Sequence, residues 1–223
     1  MKIVSWNLER PNNNPKSIKN TFIVDLIEKI SPDIIFLTET NSSINFSEYF
    51  CHKSEELPEI HENQRYKTGE NRITIFSKFP IERVIETYDS YTAICCQVNS
   101  EIGELLLYGS IIGSFGGKDE FFKNDLRNQK SEIEILARNH NLIYSGDLNI
   151  SFSGFPYPSK NVIYDMSDFF KSNSLRNITS GNENSAIHVV TSEEILNTKK
   201  VTQEMINIQP QISDHNLVIV EMH

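Results

Sequence analysis

Four short apolar runs in this chain each meet a polar side chain at one end, and that pattern limits the fold more than any other feature. Lys2-Ile-Val-Ser-Trp-Asn-Leu8 delivers Asn7, and Asp33-Ile-Ile-Phe-Leu-Thr-Glu39 delivers Glu39. Asn141-Leu-Ile-Tyr144 runs into Ser145-Gly-Asp-Leu-Asn149, and Ser213-Asp214-His215 precedes Asn216-Leu-Val-Ile-Val220. Apolar runs of this length bounded by turn signals are expected to be buried strands. Side chains alternate along a strand with period two, so Asp147 and Asn149 should project to one side of a sheet. Trp6 should point to the face opposite Asn7 and enter the core.

The intervening sequence predicts an α/β chain. Asn14-Pro15 offers a cap and a first-turn proline. Ile18, Phe22, Leu26, Ile27 and Ile30 then recur at helical spacing until Pro32 ends the helix. The polar segment from Asn41 to Glu70 predicts loop with at most a short helix. Strands are expected over Ile73–Phe76, Ile81–Tyr88, Tyr91–Val98 and Glu104–Ile112, the last ending at Gly113-Ser-Phe-Gly-Gly117. A helix over Lys118–Asn139 should turn Phe122, Leu126, Ile133 and Leu136 or Ala137 inward. After a Gly/Pro loop over Ile150–Lys160, a short helix (Asn161–Lys171) and strands Ala186–Thr191 and Val201–Ile208 complete the pattern. At 223 residues with no repeat or linker, residues 1–223 are expected to form one domain.

The net charge of −9 argues against a broad nucleic-acid surface, which needs clustered Lys and Arg. A few basic residues beside a metal would still suffice for a nuclease, and Arg10, Lys16, Arg65, Lys67, Arg72 and Lys118 are candidates; most should be solvated surface charges. No apolar run approaches the roughly 18 residues of a membrane span. The N-terminus lacks the layout of a secretory signal. Cys51, Cys95 and Cys96 have no zinc spacing, and the adjacent pair should fall on opposite strand faces. Reduced cysteines and a cytoplasmic location are the expectation.

Hard oxygen donors at strand ends suit magnesium-assisted chemistry on a phosphate. Taken singly, each residue has a plainer explanation: Glu39 as a helix-start acid, Asn7 as a turn former, Gly146-Asp147 as a turn, Asp214-His215 as a loop pair. Their joint order is what carries information. That order resembles the endonuclease/exonuclease/phosphatase superfamily, the DNase I-like fold, over essentially the whole chain. Asn71-Arg-Ile-Thr-Ile-Phe-Ser-Lys-Phe-Pro-Ile81 is similar to the superfamily's third strand and its exit.

The resemblance implies a four-layer α/β/β/α sandwich of two mainly antiparallel sheets flanked by helices. It implies a divalent-metal-dependent phosphodiester hydrolase with Mg2+, or Mn2+, held by Glu39. Asn7 would support that ligand or add an amide oxygen to the metal shell. Asp147 would position or deprotonate the attacking water, and Asn149 would bond a non-bridging phosphate oxygen. His215 would contact the phosphate as cation or base, and Asp214 would orient groups or hold a second metal. Nucleic acid, DNA or RNA, is the expected substrate, with no obligate protein partner. The alternatives are a small or lipid-derived phosphate, which the acidic balance favours, and a non-catalytic phosphate-binding or interaction module.

Two positions depart from the pattern. Ile111 stands where superfamily nucleases usually carry Tyr or His, and Tyr108 is three positions earlier on the wrong face. Ile187 stands where an Asp usually orients the final histidine, which should leave His215 poorly held unless Glu183 reaches it. His188 should pack. The other histidines, His52, His61, His140 and His223, form no comparable constellation.

Overall fold

The computed structural model describes residues 1–113, 119–197 and 199–223. Strand β1 (Lys2–Asn7) leads through helix α1 (Ile18–Ile30) to β2 (Ile34–Asn41), which pairs parallel with β1. Strand β3 (Phe50–Lys53) and a hairpin of β4 (Ile60–His61) and β5 (Gln64–Arg65) follow. A run of antiparallel strands comes next: β6 (Glu70–Ser77), β7 (Ile81–Ile85), β8 (Ala93–Ser100) and β9 (Gly103–Ile111). Helix α2 (Glu120–Ala137) precedes β10 (Leu142–Asp147), and α3 (Lys160–Ser172) precedes β11 (Leu175–Asn177). Strand β12 (Ile187–Ser192), α4 (Glu193–Leu196), β13 (Val201–Ile206) and β14 (Leu217–Met222) complete the order.

Two six-stranded sheets result, ordered β13-β14-β1-β2-β6-β3 and β11-β12-β10-β9-β8-β7. Their pairings are antiparallel except β1 with β2 and β10 with β9. Period-two alternation divides each strand between two cores. Ile3, Phe36, Ile75, Leu107, Ile143 and Val189 meet between the sheets. Val4, Trp6, Ile35 and Leu37 turn outward onto Ile23 and Ile27 of α1. On the other side, Leu106, Tyr108, Tyr144 and Val190 pack with Phe122 and Ile133 of α2 and Met166 and Phe170 of α3. The layers therefore run α/β/β/α. Cys95 and Cys96 fall in the outer and inner cores, and all three cysteines are free. Among the described residues no helix is long and apolar enough to cross a membrane.

Several expectations are corrected. Helix α1 is capped by Ser17, whose side chain accepts from the Asn20 amide, not by Asn14. Its buried face is Asn20, Ile23 and Ile27, while Ile18 and Phe22 are exposed. The cause is polar: the Asn20 side-chain amide donates to Asn12 O (2.6 Å), Asn14 O (3.2 Å) and Ser43 Oγ (2.8 Å), which fixes the helix rotation. The segment 41–70 holds no helix among its described residues; it supplies β3 as an edge of the first sheet, and the β4–β5 hairpin. Strand β7 stops at Ile85 because Asp89 builds a turn, accepting from Tyr91 N (3.0 Å) and Thr92 Oγ1 (2.6 Å). Helix α2 begins after Asp119, which caps it; Lys118 and residues 114–117 lie outside the described residues.

Candidate functional site

On β1 the odd residues face the second sheet, so Asn7 points between the sheets at the strand's end, fully buried. On β10 the same alternation sends Ser145 and Asp147 inward, opposite Leu142 and Tyr144. The Asn7 Nδ2 donates to both Glu39 Oε1 (3.0 Å) and Asp147 Oδ2 (2.8 Å). An ionised carboxylate only accepts, so the amide must turn its nitrogen to the two acids. Its oxygen takes the Glu9 N–H at 2.8 Å. Of the two roles left open for Asn7, this geometry favours support of the carboxylates over metal ligation.

Glu39 reaches this point by breaking alternation. Period two would place it outward with Ile35 and Leu37. A left-handed backbone (φ 48°) instead returns its carboxylate to Asn7, and the regular pairing of β2 with β6 resumes at Thr40. Glu9, Arg10 and Asn149 share that conformation, with φ of 50°, 53° and 49°. Left-handed non-glycine residues are costly and cluster at functional sites. Burial pushes the Glu39 carboxyl above its ordinary pKa, and the charges of Asp147 and Asp214 add to this; the Asn7 hydrogen bond and His215 oppose them.

His215 Nε2 lies 3.7 Å from Asp147 Oδ2 and 3.5 Å from Asp214 Oδ1, with Asp214 largely exposed. The loop carrying it is bolted to β1. Ser213 Oγ donates to Asn7 O (2.7 Å) and accepts from His215 N (3.0 Å), and Trp6 Nε1 donates to His215 O (3.0 Å). The His215 backbone is thus fixed, while its ring stands near two acids without a hydrogen bond to either, and no Asp stands at Ile187. Ile187 is buried in the inter-sheet core and pairs with Asp147, as Ile111 does from the other side, so two isoleucines flank that carboxylate. Glu183 bridges to Ser153, in the loop before α3. Asn149 stands just beyond β10: its backbone N–H bonds Asp147 Oδ1 (3.0 Å) and its amide donates to Ile112 O (2.9 Å), leaving the second amide proton for a ligand. His188 is fully buried, bonded to Ile150 O (2.9 Å), Ser185 O (3.0 Å) and Thr179 Oγ1 (3.1 Å), and is structural.

The fold thus brings Asn7, Glu39, Asp147, Asn149, Asp214 and His215 to one end of the two sheets. Sequence reasoning missed Glu9, whose carboxylate accepts from Asp214 N (3.2 Å). It also missed Lys19, which donates to Glu9 O (2.8 Å). Spacing from Asn7 could have found Glu9. Nothing local could have found Lys19, which arrives on α1. Arg72 is not a solvated charge: it is buried and paired with Glu62. Arg10 is paired with Glu70 at 2.7 Å.

No cluster of three or more His, Cys, Asp or Glu with ligand geometry occurs among the described residues. The donor chemistry nevertheless fits a hard divalent cation. A carboxylate driven towards its neutral form by burial and two neighbouring acids is what such an ion relieves. Magnesium needs only one or two carboxylates and keeps several waters.

A family model described as the endonuclease/exonuclease/phosphatase family matches residues 4–184, a span that includes Asn7, Glu39, Asp147 and Asn149. No curated protein matches the sequence. Among solved structures, an AP endonuclease from Archaeoglobus fulgidus is similar over 100% of this chain and 99% of its own, with TM-score 0.72 and 12% identity. A Neisseria 3′ phosphatase bound to a product DNA hairpin gives TM-score 0.71 at 14% identity, over 100% of this chain and 99% of that one. A protein of the same family description from Leptotrichia buccalis gives 0.68 at 13%, over 100% and 99%. At these identities the likeness is one of fold.

Proposed function

Because the chain belongs to the endonuclease/exonuclease/phosphatase family, a family of phosphoesterases, we propose that it is a divalent-metal-dependent phosphodiester hydrolase acting on nucleic acid or nucleotides. The observation that carries this reading is the Asn7 amide joining Glu39 to Asp147, with His215 against the same Asp147 oxygen. Glu39 would hold Mg2+ or Mn2+, with exposed Asp214 and Glu9 the next carboxylates available. A bound ion there supplies Lewis acidity and charge neutralisation at the phosphate. Asp147 accepts a proton from the attacking water at its carboxylate, which Asn7 keeps oriented. The remaining Asn149 amide proton bonds a non-bridging phosphate oxygen, and His215 Nε2 faces the phosphorus. Such prepositioned donors act where charge develops.

One observation favours the smaller substrates of the second reading, a nucleotide or other small phosphodiester. Arg10 and Arg72, which line the same pocket as Glu39, are each paired with a glutamate, so among the described residues this wall offers a duplex no unpaired arginine. The test is hydrolysis of bis(p-nitrophenyl) phosphate with magnesium and with manganese. Turnover should be abolished by chelator and by Glu39→Gln, which removes charge and little volume. Chelator-insensitive turnover, or unchanged magnesium affinity of Glu39→Gln by calorimetry, contradicts the assignment. No turnover on this ester or on oligonucleotides would favour a phosphate-binding module.

A further inference from the structure

Beside Glu39 lies a pocket of about 220 Å³ walled by Arg10, Leu57, Gln64, Tyr66, Arg72 and Ile111. Both of its arginines are paired with glutamates. Arg10 binds Glu70 through Nε (3.1 Å) and Nη2 (2.7 Å) and also donates to Arg65 O (2.8 Å). Burial would lower the Arg72 pKa, but Glu62 and the Tyr66 hydroxyl carry it above its ordinary value, and Thr92 Oγ1 accepts at 3.0 Å. A second phosphate would therefore meet no uncompensated cation, and would face Glu39.

The pocket instead offers flat and apolar surface. The Arg10 guanidinium carbon sits 4.9 Å from the centre of the Tyr66 ring. Leu57 and Ile111 give apolar flanks. Aromatic rings and guanidinium planes are the surfaces on which nucleobases stack. The volume is below the roughly 300–1,000 Å³ of pockets for drug-sized ligands, so it suits one ring system rather than a base pair.

We propose that this pocket receives one unpaired nucleobase of the substrate, adjoining the phosphate at Glu39, and so selects single strands or nucleotides over intact duplex. The inference rests on the phosphoesterase reading of Glu39 for its register. A base paired in a duplex presents only groove edges and must leave the stack to enter.

The test measures binding with metal chelated, in low-salt buffer, by fluorescence anisotropy. A labelled thymidylate decamer is compared with an abasic decamer of equal charge and with the same decamer in duplex. Wild-type protein should prefer the base-bearing strand to the abasic one by about fivefold or more, the low end of one stacked base. Tyr66→Ala, which removes the ring, and Ile111→Phe, which fills the pocket, should each bring the ratio towards one, with circular dichroism unchanged. Glu39→Gln should retain the preference. A thymidine dinucleotide that competes as well as the decamer identifies a nucleotide source; a far stronger decamer identifies a strand. Equal affinity for the two strands, duplex binding as tight as single-strand binding, or a preference surviving both pocket variants overturns the proposal. Because binding is read without metal, it can fail while Glu39-dependent turnover stands, and the reverse.

Discussion

The Asn7 amide donates to both Glu39 and Asp147, and burial, with the nearby Asp147 charge, raises the Glu39 pKa. Replacing it with its isostere tests how far the site depends on that donor. Asn7→Asp keeps the oxygen that accepts from the Glu9 N–H, but turns the bridge into a third acceptor, a buried charge facing two acids with no cation to balance it. Asn7→Ala only removes the bridge. An uncompensated buried charge costs about 3–5 kcal/mol, against about 1–3 for an unmade hydrogen bond. Urea unfolding should therefore show Asn7→Asp the less stable, by about 2 kcal/mol; equal midpoints would mean the amide bears no such load. Catalysis should respond at the neighbours. Asp147→Asn and His215→Ala are each expected to lower turnover by about 10²–10⁴ while the fold is kept. Near wild-type rates in either would remove that residue from the mechanism.

At the scale of elements, the Ser145-Gly-Asp147 end of strand β10 owes its glycine to packing. Gly146 has φ 147°, and a Cβ there would sit 1.8 Å from the backbone oxygen of Ser110 on the paired strand β9. Neither backbone can yield without opening the sheet beside Asp147. Gly146→Ala should cost more than about 4 kcal/mol, a size seen only when a named steric or polar mechanism operates. Gly181→Ala, where nothing lies within 4 Å, should stay close to neutral in the same urea titration. Comparable losses in both would show that backbone entropy, not the clash, governs Gly146. Strands such as β1, β2 and β10 were legible because a short apolar run bounded by polar residues marks a buried strand. Strand β3 and the β4–β5 hairpin were not, because exposed edges carry no such signal. Their loss hid the pocket as well, since Gln64 lies on that hairpin and Tyr66 just beyond it. The return of Glu39 to the inner face was equally hidden: it rests on one left-handed residue that period two does not anticipate.

Across the whole molecule, the outer core of the second sheet shelters two ionisable groups whose acid responses oppose each other. His188 is fully buried against two carbonyls, and burial lowers its pKa from 6.5 to about 4. Asp125 on α2 accepts from Gly113 N (2.9 Å) and Tyr88 OH (2.8 Å), and burial raises its pKa from 3.8 to about 6. As pH falls from about 6.5 to 4, the unfolded chain protonates its imidazole before the fold can, so His188 makes the native state less stable. Over nearly the same range, about 6 to 3.8, the fold takes up the Asp125 proton before the unfolded chain does, which makes it more stable. Each effect is on the order of 3 kcal/mol, at 1.36 per pKa unit, so they largely cancel. Single variants should separate them. Measured by urea unfolding at pH 7 and pH 4.5, the stability lost in His188→Gln should be larger at pH 7. The margin of wild type over Asp125→Asn should be larger at pH 4.5. If both margins are the same at the two pH values, neither group is perturbed by its burial, and the balance between them does not exist.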